Sequence, residues 1–121
     1  MKVSIGQALK RLPAEATNKY PQGAPFVTMM AGGTMSVEVY APKGEDLQAP
    51  HTQDELYFIH SGRGELVIND QRFDCAAGDA FFVAAGVQHR FENFSDDLVT
   101  WVVFYGQSMV NTRGVLAESK K

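Results

Sequence analysis

Two histidines and one glutamate have the side chains and the context to bind a metal ion. His51 is followed after three residues by Glu55, and His89 lies further along the chain, after a glycine-containing turn. Two imidazoles and one carboxylate suit a divalent transition metal such as iron, manganese, nickel or zinc, and they leave coordination positions open for water or substrate. We therefore predict that these three residues bind a metal ion, whose identity stays open.

The short separation of His51 and Glu55 requires the chain to turn between them. Four residues of a straight strand span roughly 13 Å, whereas ligand atoms around one ion lie about 3–4 Å apart. The intervening Thr52-Gln53-Asp54 is acceptable turn chemistry. We expect His51 to end one strand and Glu55 to begin the next, with both side chains facing one interior. His89 follows a turn at Gly86 and is expected to face the same interior.

Apart from one short helix, the chain has the pattern of short β-strands. Ser4 is a suitable N-cap for a helix that reaches Leu12, and Pro13 would end it. Runs of β-branched and aromatic residues then alternate with turn residues, and Asn69-Asp70 has the composition of a hairpin turn. The predicted strands are Phe26–Met30, Ser36–Tyr40, Leu56–Ile59, Glu65–Ile68, Arg72–Cys75, Ala80–Val83, His89–Phe91 and Leu98–Tyr105. About eight short, evenly spaced strands predict an all-β sandwich or small barrel.

Composition excludes several classes of partner. The 121 residues, 45% apolar and 21% charged, are typical of one soluble globular domain. A net charge of −3 without a basic stripe argues against nucleic acid, and the longest apolar run, Ala80–Val87, is too short to span a membrane. The N-terminus is too polar for a signal peptide, and the single Cys75 fits a reducing compartment. We therefore expect a cytoplasmic protein.

The first half of the metal-ligand pattern resembles a motif of the cupin superfamily, G-x5-H-x-H-x3,4-E-x6-G. His51, Glu55 and Gly62 match its second His, its Glu and its closing Gly. Gly44 lies one residue later than the strict position of the opening Gly. Ala49 stands where the first His is usual, and its side chain cannot bind a metal.

The second half resembles the other cupin motif, G-x5-P-x-G-x2-H-x3-N. Gly78, Gly86, His89 and Asn93 match it in the correct spacing, and Ala84 stands where proline is usual. The resemblance covers roughly residues 35 to 105 and is strongest to the small single-domain cupins of the conserved-barrel type. It implies an antiparallel, double-stranded β-barrel of the jelly-roll kind, and small cupins of this type often form homodimers.

The expected organisation is therefore a single cupin domain over residues 1–121. It has a helical segment at about 4–12, a barrel at about 26–106 and a polar tail at about 111–121. Without a histidine at Ala49, the site has three protein ligands rather than the four common in the family. An amide oxygen of Gln48 or Gln53 could replace the missing ligand, with lower metal affinity than imidazole. Alternatively, the site stays open, like the triad of two histidines and one carboxylate in non-haem iron oxygenases.

The resemblance implies a metal-binding protein that holds a small organic molecule in the barrel. Dioxygenases, isomerases, epimerases and decarboxylases are the enzyme activities to be considered, and a non-catalytic binding or sensing module is the alternative. Strand alternation places Tyr57 and Phe91 in the wall of the substrate cavity, and Trp101 or its alternates by parity on the last strand would complete that wall. His60 faces away from the site by the same alternation. Arg90 is also expected to face outward, which makes a strongly anionic substrate less favourable.

Overall fold

The structure is a computed structural model that describes residues 1–108. The predicted polar tail at 111–121 lies outside these residues. Within them, one helix precedes eight strands, and no strand end differs from its predicted position by more than two residues. The elements are α1 (Ile5–Lys10), β1 (Phe26–Gly32), β2 (Met35–Tyr40), β3 (Asp54–Ser61), β4 (Arg63–Ile68), β5 (Gln71–Ala76), β6 (Ala80–Val83), β7 (His89–Glu92) and β8 (Val99–Tyr105).

The strands form two antiparallel sheets that pack face to face. One sheet has five strands in the order β1-β2-β8-β3-β6, and the other has three in the order β5-β4-β7. Buried side chains from both sheets form one hydrophobic cluster, which is why the sheets face each other. The cluster consists of Tyr40, Tyr57, Ile59, Leu66, Cys75, Val83, Phe91, Leu98, Val102 and Phe104. The predicted double-stranded β-barrel is thereby confirmed.

The helix begins where the sequence predicts and packs outside the barrel. The Ser4 hydroxyl accepts a hydrogen bond from the backbone N–H of Gln7, and the Gln7 side chain accepts one from the backbone N–H of Ser4. The helix ends at Lys10, two residues before the predicted end at Leu12. Ala8 is fully buried in a second apolar cluster with residues of β1 and β2. The helix therefore covers the outer face of the five-stranded sheet at its β1 edge.

Strand β3 has the alternation on which the site prediction depends. Glu55, Tyr57 and Ile59 are buried between the sheets, whereas the residues between them and His60 are exposed. Side chains of alternate strand residues point to opposite faces, so the buried set lines the barrel interior. The outward position predicted for His60 agrees with its exposure.

Two turns hold the ends of the strands in place. Gly62 joins β3 to β4 with φ +80°, and a Cβ atom there would lie 2.6 Å from the Cα atom of Leu98. The predicted hairpin turn joins β4 to β5, with Asn69 in the left-handed region at φ 53°. The backbone N–H of Asn69 donates to the carbonyl oxygen of Gln88 at 2.9 Å. This bond ties the hairpin to the residue that precedes His89.

Among the residues described, no helix is long and apolar enough to cross a membrane.

Candidate metal centre

His51, Glu55 and His89 converge inside the barrel. Nε2 of His89 lies 2.9 Å from Oε1 of Glu55, and Nε2 of His51 lies 3.7 Å from Oε2 of Glu55. One ligand atom from each residue lies within 4.8 Å of those from the other two. All three side chains are at most 1% exposed. The structure therefore brings together the three residues that the sequence identifies as candidate ligands.

The backbone places His51 differently from the prediction. His51 does not end a strand, because the chain from 41 to 53 is a loop and β3 begins only at Asp54. A bend at Thr52 and Gln53 turns the chain into β3, as the short separation of the ligands requires. The loop is fixed by a hydrogen bond of 2.7 Å from the Gly86 N–H to the carbonyl oxygen of His51. This bond draws the two halves of the ligand set together.

His89 has a hydrogen bond that sets the tautomer of its ring. Its Nδ1 lies 2.8 Å from the carbonyl oxygen of Val87. A carbonyl oxygen can only accept, so Nδ1 carries the proton and Nε2 of the neutral ring has the free lone pair. Histidines that bind metals are commonly oriented in this way by a backbone carbonyl. Nε2 is also the atom that faces Glu55, as a ligand atom should.

The arrangement fits a divalent transition metal. Imidazole nitrogens and carboxylate oxygens bind such ions at about 2.0–2.2 Å, so neighbouring ligand atoms lie about 3–4 Å apart. The two distances to the carboxylate of Glu55, 2.9 and 3.7 Å, are close to this range. Two histidines and one glutamate that share a buried space could therefore hold one ion after small side-chain shifts.

Of the two amides that could replace the missing histidine, Gln48 lies at the site and Gln53 does not. Oε1 of Gln48 is 3.2 Å from Nε2 of His51. The Gln53 side chain instead donates to the carbonyl oxygens of Thr34 at 2.9 Å and Gly106 at 2.7 Å. These two bonds hold the Gln53 side chain at the end of strand β8 and the turn between β1 and β2, away from the other ligands.

Tyr57 presents its hydroxyl group to the same space. The hydroxyl donates to Oε1 of Gln48 at 2.9 Å and lies 3.1 Å from Nε2 of His89. Burial, together with the negative charges of Glu55 and Asp46, raises the pKa of Tyr57 well above its usual value. At neutral pH the group is therefore a phenol with a proton to donate.

The other two predicted cavity residues have different positions. The Phe91 ring is buried against Tyr57, with ring centroids 5.0 Å apart and planes at 74°. Trp101 packs against the cluster beneath helix α1, on the face of β8 opposite to Phe104. Phe104 is the β8 residue that reaches the site, since its ring lies 4.8 Å from that of His51. Phe91 therefore supports the site from behind, and Trp101 does not reach it.

A polar cavity of about 360 Å³ opens beside the site. Arg90 lines this cavity from the exposed face of β7, in agreement with its predicted outward position. The remaining lining residues are Gln48, Pro50, Val67, Asn69, Asp70, Gln88 and His89. The His89 side chain itself is fully covered. Gln48 is thus the residue that both lines the cavity and contacts the ligand set through its side chain.

Asp46 is a site residue that the sequence analysis missed. It is only 6% exposed, although it lies in the loop between β2 and β3. Its carboxylate accepts a hydrogen bond from the Gln48 side chain, which connects it to the ligand set. An aspartate among Gly, Glu and Lys has the sequence signature of a solvated turn. Its burial comes from contacts of this loop with β7, through the backbone N–H of Phe91, and with the Tyr40 hydroxyl at the end of β2.

Comparison with known proteins gives a consistent result. Residues 36–105 match the model of the family described as "Cupin domain". The chain is 38% identical over 92 residues to the uncharacterized protein SCO3923 of Streptomyces coelicolor, a match that covers 74% of this chain and 87% of that protein.

Solved structures show the same fold. A cupin-2 domain containing protein from Shewanella frigidimarina aligns with a TM-score of 0.64 and 12% identity over 86% of this chain and 94% of that one. The DMSP lyase DddQ from Ruegeria pomeroyi aligns with a TM-score of 0.58 and 20% identity over 67% of this chain and 46% of the lyase. At such identities the likeness concerns the fold alone.

Proposed function

Because the chain belongs to the cupin superfamily, we propose that it is a metal-dependent enzyme acting on a small organic molecule. The main support for this proposal is that ligand atoms of His51, Glu55 and His89 lie within 4.8 Å of one another inside the barrel. The proposed ligands are these three residues, with Oε1 of Gln48 as the fourth. When bound, an ion of this kind polarises a substrate oxygen as a Lewis acid, and iron would add dioxygen chemistry.

Tyr57 favours a reaction that moves a proton over one that consumes oxygen. Its hydroxyl lies 3.1 Å from Nε2 of His89 and 2.9 Å from Oε1 of Gln48, and its raised pKa keeps the proton on it at neutral pH. A neutral phenol beside the ligand set can donate a hydrogen bond to a substrate oxygen and stabilise the negative charge that develops there when a neighbouring carbon loses its proton. Isomerisation or elimination next to a carbonyl or carboxyl group is therefore the reaction class that we propose.

The polar cavity supplies the substrate space in this proposal. Its lining offers the amide groups of Gln48, Asn69 and Gln88 together with the charges of Asp70 and Arg90. Such a lining suits a hydroxylated or zwitterionic molecule better than an apolar one. Because the ligand side chains are covered, Gln48 would have to shift for a substrate to reach the metal.

Deuterium exchange tests the proposed reaction. Metal-loaded protein would be incubated in D₂O with small keto acids, hydroxy acids and sugar acids, and the substrates followed by proton NMR. We expect exchange or isomerisation at a carbon next to a carbonyl or carboxyl group for at least one substrate class, with loss of the signal in Tyr57→Phe. Oxygen consumption without exchange would favour a dioxygenase instead.

A non-catalytic binding or sensing module is the second candidate. It is favoured by the coverage of the ligand side chains, none of which is more than 1% exposed. A buried ion that substrates cannot reach would stabilise the barrel without turnover. Thermal stabilisation by a small molecule, with neither exchange nor oxygen consumption across the panel, would support this function.

We also propose that the protein forms a homodimer through the outer face of the five-stranded sheet. Leu56, Phe58, Phe82 and Tyr105 are 37%, 43%, 59% and 57% exposed. They lie on adjacent strands, since Leu56 pairs with Phe82. A contiguous apolar patch of this kind usually marks an interface.

The single Cys75, buried in the core, is consistent with the cytoplasmic location that we propose.

A further inference from the structure

The carboxylate of Asp46 is buried and accepts four hydrogen bonds. Oδ1 accepts from the Tyr40 hydroxyl and from the backbone N–H of Gln48 at 3.0 Å. Oδ2 accepts from Nε2 of Gln48 and from the backbone N–H of Phe91 at 2.8 Å. A carboxylate has about four acceptor positions, so these donors occupy all of them. Asp46 thereby connects β2 of the larger sheet, β7 of the smaller sheet and the loop that carries Gln48.

The bond to Asp46 determines which end of the Gln48 amide faces the ligand set. A carboxylate accepts hydrogen bonds and does not donate them, so the NH₂ group of Gln48 must face Asp46. The amide oxygen is then on the opposite side, where it accepts from the Tyr57 hydroxyl at 2.9 Å and lies 3.2 Å from Nε2 of His51. With the amide reversed, an NH₂ group would face the ligand set, and that group cannot bind a metal.

We propose that Asp46 is a positioning residue, which orients Gln48 so that its amide oxygen serves as the fourth metal ligand. The proposal rests on the proposed metal-binding function. Tyr40 assists, because its hydroxyl holds Oδ1 of Asp46 and thereby fixes the plane of the carboxylate. Asp46, two residues before Gln48, thereby helps Gln48 to replace the histidine ligand that is usual at the position of Ala49.

Asp46→Asn is the informative substitution, because it keeps the shape and changes only what the side chain can accept. The introduced asparagine has one oxygen, which would remain with the Tyr40 hydroxyl and the Gln48 backbone N–H. Its NH₂ group would then face the NH₂ group of Gln48, so the Gln48 amide reverses or moves away. Adding Gln48→Glu supplies a carboxylate that accepts from the asparagine and again presents an oxygen to the site. The Phe91 N–H loses its acceptor in both variants, so that cost cancels in the comparison.

The test measures Co²⁺ affinity and the visible absorption of the Co²⁺ protein. The variants are Asp46→Asn, Gln48→Ala, the combination of these two, and Asp46→Asn with Gln48→Glu. Loss of a residue that orients a metal ligand typically costs about 10–100-fold in affinity. We expect Asp46→Asn to weaken Co²⁺ binding about tenfold and to change the absorption bands, but to add nothing in the Gln48→Ala background. Adding Gln48→Glu should restore affinity to within about threefold of the unmodified protein.

Three results would overturn the proposal. They are an Asp46→Asn protein with unchanged affinity and spectrum, equal losses with and without Gln48→Ala, and no recovery with Gln48→Glu. If Asp46→Asn does not fold, as judged by circular dichroism, the same cycle is run with Tyr40→Phe. The expected loss is then about threefold and again absent in the Gln48→Ala background. His89→Ala distinguishes a failure of the proposed metal site from a failure of the proposed role of Asp46. Co²⁺ binding that survives this change contradicts the metal site itself and not only the role of Asp46.

Discussion

Oε1 of Gln48 lies 3.2 Å from Nε2 of His51, so the amide oxygen of Gln48 stands beside the ligand set. The position of the first histidine of the cupin motif, Ala49, is exposed and points away. The loop before β3 thus turns the residue that precedes Ala49 toward the ligand set. This path of the loop lets a chain without the first histidine of the motif offer an amide oxygen as a fourth donor.

The first prediction concerns the choice between the two amides. Gln48→Ala should weaken Zn²⁺ or Co²⁺ binding about tenfold, because it removes one donor and leaves three. Gln48→Glu alone should also weaken binding, because its carboxylate would face the carboxylate of Asp46, to which the Gln48 NH₂ group donates, and would turn away. Competition with a metal chelator measures both changes.

Gln53→Ala is the matched control for this prediction. The Gln53 side chain bonds the carbonyl oxygens of Thr34 and Gly106, so its loss should lower stability and leave metal affinity unchanged. A drop in affinity as large as that of Gln48→Ala would show that the wrong amide was chosen.

Alkaline pH should destabilise the protein through its buried tyrosines. The pKa values of Tyr40 and Tyr57 are raised, mainly by burial, from the usual value of 10.0. Above pH 10 the unfolded chain releases these protons while the folded chain keeps them, so the free energy of unfolding falls as pH rises. This stability is fully present below pH 10 and is lost progressively above it.

Urea unfolding at several pH values between neutral and strongly alkaline measures this slope. Tyr40→Phe should make the alkaline decline shallower, because one of the groups with a raised pKa is gone. A free energy of unfolding that stays constant, or that rises with pH, would be inconsistent with the buried positions of the two phenols.

Gly62→Ala should destabilise the barrel strongly. The residue has φ +80°, and an added Cβ atom would lie 2.6 Å from backbone atoms of Leu98. The left-handed conformation and the backbone clash together should cost at least about 3 kcal/mol. Gly33→Ala is the control, because Gly33 also has positive φ, at +57°, but no atom lies within 4 Å of its added Cβ. It should cost only about 1 kcal/mol, and equal losses of stability would argue against the close approach at Gly62.

Light scattering tests the proposed homodimer. The unmodified protein should be a dimer at micromolar concentration, and Phe58→Glu combined with Phe82→Glu should make it a monomer by placing charges in the apolar patch. Phe73→Glu is the control, because Phe73 is 39% exposed but lies on β5 of the other sheet. A monomeric unmodified protein, or dissociation caused equally by Phe73→Glu, contradicts the proposed interface.

The sequence predicts the strands and much of the ligand set because both depend on local patterns. Alternation in β3 is regular, so the inward positions of Glu55 and Tyr57 and the outward position of His60 follow directly. Strand β8 gives no such signal, because Val99–Tyr105 is apolar on both faces. The position of Trp101 beneath the helix therefore could not be read from its spacing.

The path of the loop before β3 depends on contacts between distant parts of the chain. The bond from the Phe91 N–H to Asp46 and the bond from the Gly86 N–H to His51 fix this loop. Neither has a signature in the residues around Asp46 or Gln48. For this reason the sequence left Gln48 and Gln53 as equal alternatives and did not identify Asp46.

Metal analysis of two histidine variants tests the central claim most directly. The protein, His89→Ala and His60→Ala would each be purified without added metal or chelator, loaded with the same divalent metal, and analysed for bound ion. Nε2 of His89 lies 2.9 Å from Glu55 inside the barrel, whereas His60 is exposed on the opposite face of the same sheet. The account predicts about one ion per chain in the protein and in His60→Ala, and far less in His89→Ala. Equal metal content in the two variants would contradict the site.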